Sequence, residues 1–221
     1  MSDFARLRRT MVDCQVRTFD VTDRELLEAL EEVPRERFVP SSKQDLAYND
    51  QHLVVAGDER RGRFLLAPLI FARLVQALEV TEGSRVLDIG CATGYGSVVL
   101  AKVGASVTAL ESDETAAQLA ADLTAELGEG RVKVVTGPLH NGWAAGAPYD
   151  AILINGTVQE LPQKILEQLA DGGRLIGVEF NNGAPNAVMM QRNGSSFSRR
   201  IVFDAPAPVL SEFAVPAEFV F

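Results

Sequence analysis

Val86-Leu87-Asp88-Ile89-Gly90-Cys91-Ala92-Thr93-Gly94-Tyr95-Gly96 is the stretch that decides the fold. Its residues through Ile89 read as a short, apolar, buried strand. Gly90 and Gly94 allow the backbone a tight turn and close approach to a ligand, and a helix is expected from Tyr95 onward. A strand that turns on glycine straight into a helix marks a doubly wound α/β sheet, in which ligands bind beyond the carboxyl ends of the strands. The unpaired N–H groups at the start of that helix face the same place.

Downstream the rhythm continues. Further strands are expected at 106–110, 131–135, 149–154 and 174–180, with helices at 95–103, 114–127 and 162–169, the last ended by Gly172-Gly173. This βαβαβ order predicts a mostly parallel sheet with helices on both faces. Segments 187–191 and 197–203 flank Asn193-Gly194, a turn signal that predicts a C-terminal antiparallel hairpin. The proline-rich tail 205–221 is expected to pack along the domain as an edge segment. Upstream, the first forty residues read as helical, with Asp23 capping a helix through Leu26, Leu27 and Leu30 that stops before Pro34. Residues 41–63 read as irregular, and a helix over 68–79 begins on Pro68. The chain divides into a helical N-terminal extension with a substrate-side loop (1–80) and a compact ligand-binding domain (81–221).

Composition narrows the function. The 221 residues, 47% hydrophobic and 23% charged, suit one soluble globular core. A net charge of −9 argues against a nucleic-acid partner, which calls for clustered lysine and arginine. No apolar run approaches the roughly 18 residues that cross a bilayer, and no apolar stretch follows the basic start to make a secretory leader. Cys14 and Cys91 form no disulfide framework or metal spacing, and His52 and His140 are solitary, each read as a hydrogen-bonded loop histidine. A reducing, cytoplasmic setting and no resident metal are expected.

Glu111 closes the second strand of the domain, about 20 residues beyond the glycine turn, where a carboxylate accepts both ribose hydroxyls of an adenosine. Ala92 keeps a Cβ where a dinucleotide loop needs close approach to pyrophosphate. Asp88 adds negative charge beside the loop, which suits an ammonium and a sulfonium better than a diphosphate. No Tyr-x-x-x-Lys pair supports a nicotinamide-dependent reductase: Val99, Leu153 and His52 stand four residues after Tyr95, Tyr149 and Tyr48. The ligand read from these residues is S-adenosylmethionine, with Asp88, Gly90, Cys91, Ala92, Thr93 and Gly94 at its methionine end and Glu111 and Ser112 at its ribose.

Beyond the loop, the chain resembles the protein-L-isoaspartate O-methyltransferase family. The likeness is carried by Met11-Val12-Asp13-Cys14-Gln15, by Val33-Pro34-Arg35-Glu36-Arg37-Phe38-Val39-Pro40, and by Val86–Gly96. Ala147-Pro148-Tyr149-Asp150-Ala151-Ile152, Leu161-Pro162 and Leu169–Ile176 extend it. The resemblance implies a Rossmann-like class I methyltransferase that methylates the misplaced carboxylate of L-isoaspartyl residues in a peptide or protein substrate. Two segments depart from the family. Phe64-Leu65-Leu66-Ala67-Pro68 stands where the family has a Thr-Ile-Ser-x-Pro-like run, so Leu66 replaces a serine of the substrate site. Gly137-Pro138-Leu139 stands where the family has Gly-Asp-Gly, leaving the backbone around Pro138 and Leu139 to meet the adenine edge. An arginine among Arg60, Arg61 and Arg63 is the candidate to grip the substrate carboxylate in place of the serine, since a guanidinium does so bidentately; otherwise the run is a solvated loop. Tyr48, Asn49 and Asp50 are placed on the same side, with a surface turn as the plainer reading of Asn49 and Asp50. Two functions stay open here: isoaspartyl methyl transfer, or a family member that binds S-adenosylmethionine as a sensor, as a partner protein or for a different acceptor.

Overall fold

The computed structural model describes residues 3–58, 62–181 and 183–213. Helix α1 (Phe4–Met11) is capped by Asp3, runs on through a π-helical turn at Val12–Val16, and ends past Phe19 on Asp20 in the left-handed conformation. Helix α2 (Arg24–Glu32) is capped by Asp23, whose side chain accepts the Leu26 N–H, as its sequence predicts. The stretch expected to be irregular contains a hairpin: β1 (Leu53–Ala56) pairs antiparallel with β2 (Arg63–Leu65). Leu53 and Val55 point inward and Val54 outward, a short period-2 pattern masked by the turn residues around it. Helix α3 (Pro68–Leu78) follows, with proline in its first turn, where a missing N–H costs nothing.

The chain continues through β3 (Arg85–Ile89), α4 (Tyr95–Lys102), β4 (Ser106–Glu111), α5 (Glu114–Leu127), β5 (Val132–Thr136), β6 (Tyr149–Val158), α6 (Gln163–Leu166), β7 (Leu169–Asn181), β8 (Ala184–Asn193) and β9 (Ser196–Asp204). Among the described residues these strands form one sheet in the order β5-β4-β3-β6-β7-β8-β9. The first five are parallel, and β8 and β9 are antiparallel additions, so the predicted hairpin is present and extends the sheet by a meander. One boundary is corrected. Gly172-Gly173 does not end a long helix; α6 is a single turn, and the glycines form a bulge inside β7, between the pairs Tyr149↔Leu169 and Ala151↔Arg174. A Cβ on Gly173 would lie 2.9 Å from the carbonyl oxygens of Ala170 and Tyr149, so the bulge requires glycine there.

Alternation along the central strands sends side chains to two cores. Val86, Ala151, Leu153 and Ile176 face one side, which the N-terminal extension covers with Met11, Leu26, Leu30, Phe38, Phe71 and Leu74. Leu87, Ile89, Ile152, Ile154 and Leu175 face the other, which Ile165, Leu166, Leu210 and Phe213 cover. The tail packs on the protein through residue 213, as expected, but over the carboxyl end of the sheet beside β6 rather than as the expected edge segment; residues 214–221 fall outside the described residues. Thr157 is bonded to it three times: its N–H donates to Pro208, its hydroxyl to Ala207, and its carbonyl accepts from Leu210. No helix among the described residues is long and apolar enough to cross a membrane.

Candidate functional site

The loop after β3 is built from left-handed residues. Gly90, Ala92 and Gly94 have φ of +70°, +52° and +88°. A Cβ on Gly94 would come within 2.9 Å of the Thr124 methyl group, so α5 packs against the loop only because the residue is glycine. Ala92 holds this conformation with a side chain, a strain of about 1–2 kcal/mol. Its N–H donates to Glu111 Oε2 at 2.9 Å, which offsets part of that strain. Thr93 donates its hydroxyl to the Phe38 carbonyl at 2.7 Å, tying the loop to the Val33–Pro40 segment. From that segment Arg35, 1% exposed, donates to the Ala47 carbonyl at 2.7 Å and the Leu66 carbonyl at 2.6 Å, with its guanidinium 4.8 Å from the Tyr95 ring centre. The N-terminal signature, the glycine loop and the segment around Leu66 are thereby one hydrogen-bonded assembly.

Asp88 is fully buried and turned into the protein. One carboxylate oxygen accepts the Ser97 hydroxyl at 2.5 Å and the other accepts the Asn155 amide. Burial pushes its pKa up to about 6, against the opposing pull of those two hydrogen bonds. The expectation of an acid offered beside the loop is refined accordingly: Asp88 shapes the loop through Ser97 on α4 and Asn155 on β6, both its oxygens being engaged within the protein.

Glu111 lies at the end of β4, as its position predicts, and is fully buried. Its Oε1 accepts from Arg63 Nε at 2.6 Å and from the backbone N–H groups of Ser112 at 2.7 Å and Asp113 at 3.0 Å. Its Oε2 accepts from Ala92. Arg63, expected as a grip for the substrate, thus stands on the acid expected to hold the ribose. Its second nitrogen donates to the Ser112 hydroxyl at 2.6 Å and to Glu212 of the tail, and Ser112 also donates to Glu212 at 2.6 Å.

The remaining candidates separate. Cys91 is buried within the loop, and burial raises its thiol pKa. Pro138 begins a short turn, and Leu139 lies with Leu210 against Gly90, within 3.6 Å of where a Cβ would stand. Leu65 and Leu66 are buried, and Leu66 takes part through its carbonyl. The Tyr48 hydroxyl is committed to Glu36. Asp50 accepts the Leu69 N–H at the start of α3. His52 Nδ1 accepts the Ala67 N–H at 2.9 Å and its Nε2 bonds the Pro206 carbonyl at 2.9 Å, a bridge between the Leu66 segment and the tail. Arg60 and Arg61 fall outside the described residues. Sequence reasoning missed Asn155, Leu210 and Glu212. Asn155 had a signal, a polar residue following the apolar run 151–154; the other two had none, since only tertiary packing brings the tail to the glycine loop and Glu111.

A family model described as protein-L-isoaspartate(D-aspartate) O-methyltransferase (PCMT) matches residues 8–202. The chain belongs to this family. Among PCMT relatives, the protein-L-isoaspartate O-methyltransferase 1 of Rhodopseudomonas palustris (strain HaA2) is 41% identical over 175 residues, 79% of this chain and 70% of that one. The protein-L-isoaspartate O-methyltransferase of Roseiflexus sp. (strain RS-1) is 33% identical over 98% of this chain and 97% of its own. A solved protein-L-isoaspartate O-methyltransferase superposes with TM-score 0.78 at 25% identity, over 92% of this chain and 64% of that longer one. A Plasmodium falciparum PCMT structure in complex with S-adenosyl-L-homocysteine has TM-score 0.79 over 96% of this chain and all of its own; at 17% identity it speaks for the PCMT fold.

Proposed function

We propose that this chain is an S-adenosylmethionine-dependent methyltransferase that methylates the carboxyl group of isoaspartyl residues in damaged proteins. The observation that carries the reading is the pairing of a PCMT-family chain with a glycine loop and a buried acid, Glu111, at the carboxyl ends of adjacent strands. The donor set fits the cofactor: a carboxylate for a ribose diol, small or glycine residues at 90–94 for close approach, and no phosphate cradle. Bound there, the cofactor supplies an electrophilic methyl group on a sulfonium.

The protein's task is then orientation. A carboxylate nucleophile is ionised at neutral pH and asks for no strong base, so the residues at the site act by alignment, worth about 7–11 kcal/mol in favourable cases. In this proposal Gly90, Cys91, Ala92, Thr93 and Gly94 hold the methionine end, with Asp88 bracing the loop from beneath. Glu111 and Ser112 hold the ribose, and Pro138 and Leu139 flank the adenine. Leu65, Leu66, Arg63 and Tyr48 lie on the substrate side, with residues 1–80 as the extension that shapes it and 81–221 as the cofactor-binding domain. Two unpaired cysteines, Cys14 exposed and Cys91 buried, support a reducing, cytoplasmic setting.

Leu66 and the Pro138-Leu139 pair favour a second reading, binding of S-adenosylmethionine without repair. One paired measurement decides. Calorimetric titration of the full chain with S-adenosylmethionine and with NAD is followed by methyl transfer to an isoaspartyl peptide and its aspartyl counterpart. The expected result is binding of S-adenosylmethionine and transfer to the isoaspartyl peptide alone. Binding without transfer would establish the second reading, and NAD binding alone would overturn both.

A further inference from the structure

Arg63 is a buried cation with three side-chain partners: Glu111, Ser112 and Glu212. Glu111 Oε1 already takes three donors, Arg63 Nε and the N–H groups of Ser112 and Asp113, while Oε2 takes one. A carboxylate offers about four lone-pair sites in all. Counted per oxygen, about two sites each, Oε2 has room for one more hydroxyl, while Oε1 already carries a donor beyond its two and can take a hydroxyl only in place of one of them. The two backbone N–H groups are fixed by the turn into α5. Arg63 is the donor on a side chain, and its other nitrogen stays anchored to Ser112 and Glu212 while Nε departs.

We propose that Arg63 exchanges Glu111 for the carboxylate of the methyl acceptor, so that the acceptor site is completed only when a ribose diol is seated on Glu111. The inference rests on the methyltransferase reading above. It accounts for how this chain manages with Leu66, whose buried side chain donates nothing, because Arg63 begins the short strand that leads into Leu66. It is also consistent with connectivity, since the cofactor's ribose carbon is bonded to the sulfonium that carries the methyl group. A guanidinium beside the ribose acid is therefore close to where the acceptor must arrive. No bond to carbon changes in the exchange; one guanidinium–carboxylate pair replaces another, and the desolvated cation is never left alone because Glu212 keeps its hold. The consequence is order: cofactor first, acceptor second.

The test uses the full chain, a fluorescent isoaspartyl peptide and S-adenosylhomocysteine, which permits binding without turnover. S-adenosylhomocysteine is expected to tighten peptide binding to the wild type by about tenfold or more, the scale of a charge-assisted hydrogen bond. Arg63→Gln is expected to abolish that gain while binding S-adenosylhomocysteine more tightly than the wild type does, its competitor for Glu111 having gone. Arg63→Lys, which keeps the charge and loses the fork, should retain a reduced gain, and it carries the test should the glutamine variant fail to fold. A lysine or glutamine variant with the full wild-type gain overturns the exchange. Wild-type protein that methylates the peptide yet binds it equally well with and without S-adenosylhomocysteine also overturns it, leaving the reaction standing. Wild-type protein that shows no transfer sinks the reaction instead; the exchange then stands or falls on whether S-adenosylhomocysteine binds Arg63→Gln more tightly than the wild type.

Discussion

Two carboxylates sit on neighbouring strands, and the protein treats them in opposite ways. Asp88 on β3 and Glu111 on β4 are both fully buried. Asp88 meets only neutral donors, a hydroxyl and an amide, and its proton affinity rises with burial. Glu111 meets three backbone N–H groups and a guanidinium. The register explains the split. Ile89 pairs with Leu110, so Glu111 stands one residue past the last paired residue of β3, level with the glycine loop, whereas Asp88 pairs with Ala109 inside the sheet. A step of two residues along parallel strands separates an acid held by neutral donors from the one proposed to hold the ribose.

The largest way to break this comparison is Glu111→Ala. It leaves Arg63 to Glu212 and Ser112 alone and takes the acceptor from three N–H groups, so a stability loss of about 3–5 kcal/mol is expected in denaturant unfolding. Calorimetry should show S-adenosylmethionine binding weakened by about 1–3 kcal/mol. A stability loss below about 1 kcal/mol would mean that Glu212 and Ser112 suffice for Arg63, and an unchanged dissociation constant would remove Glu111 from the site.

Asp88 sharpens the contrast through pH. Its pKa is raised from 3.8 to about 6, so between those values the folded state holds a proton that the unfolded state has released. Stability therefore falls as pH rises through that window and levels off above it, by on the order of 3 kcal/mol at most. Asp88→Asn should remove this fall. Denaturant midpoints of both proteins from pH 4 to 7 would show it, and parallel pH slopes would count against Asp88 as the titrating group.

Ala92 joins the two regions, since it sits in the β3 loop and donates to Glu111. Ala92→Gly keeps that N–H and relieves the left-handed strain, and a gain of about 1 kcal/mol or less is expected. Thermal unfolding that shows a loss instead would mean that the buried methyl group contributes more through packing than its backbone strain takes away.

Much of this was legible in the chain. Asp23 as a cap, α5 to its last residue, the strand–glycine–helix corner and Glu111 at a strand end all follow from signals within a few residues of each other, because capping, alternation and turn geometry are local. Residues 41–63 misled because a four-residue strand leaves too short an alternation to stand out, and Gly172-Gly173 because a bulge and a helix stop use the same residue.

From the sequence alone one reads which residues can be strand, turn or helix, and that an acid closes the second strand of the domain; near-neighbour sterics and hydrogen bonding decide those things. Only the tertiary structure decides that Arg63, Glu111 and Glu212 meet, that Asp88 faces inward to Asn155, and that the tail lies against the glycine loop and β6. Those contacts join residues distant along the chain, and they exist only once sheet order and register have placed each side chain on a face.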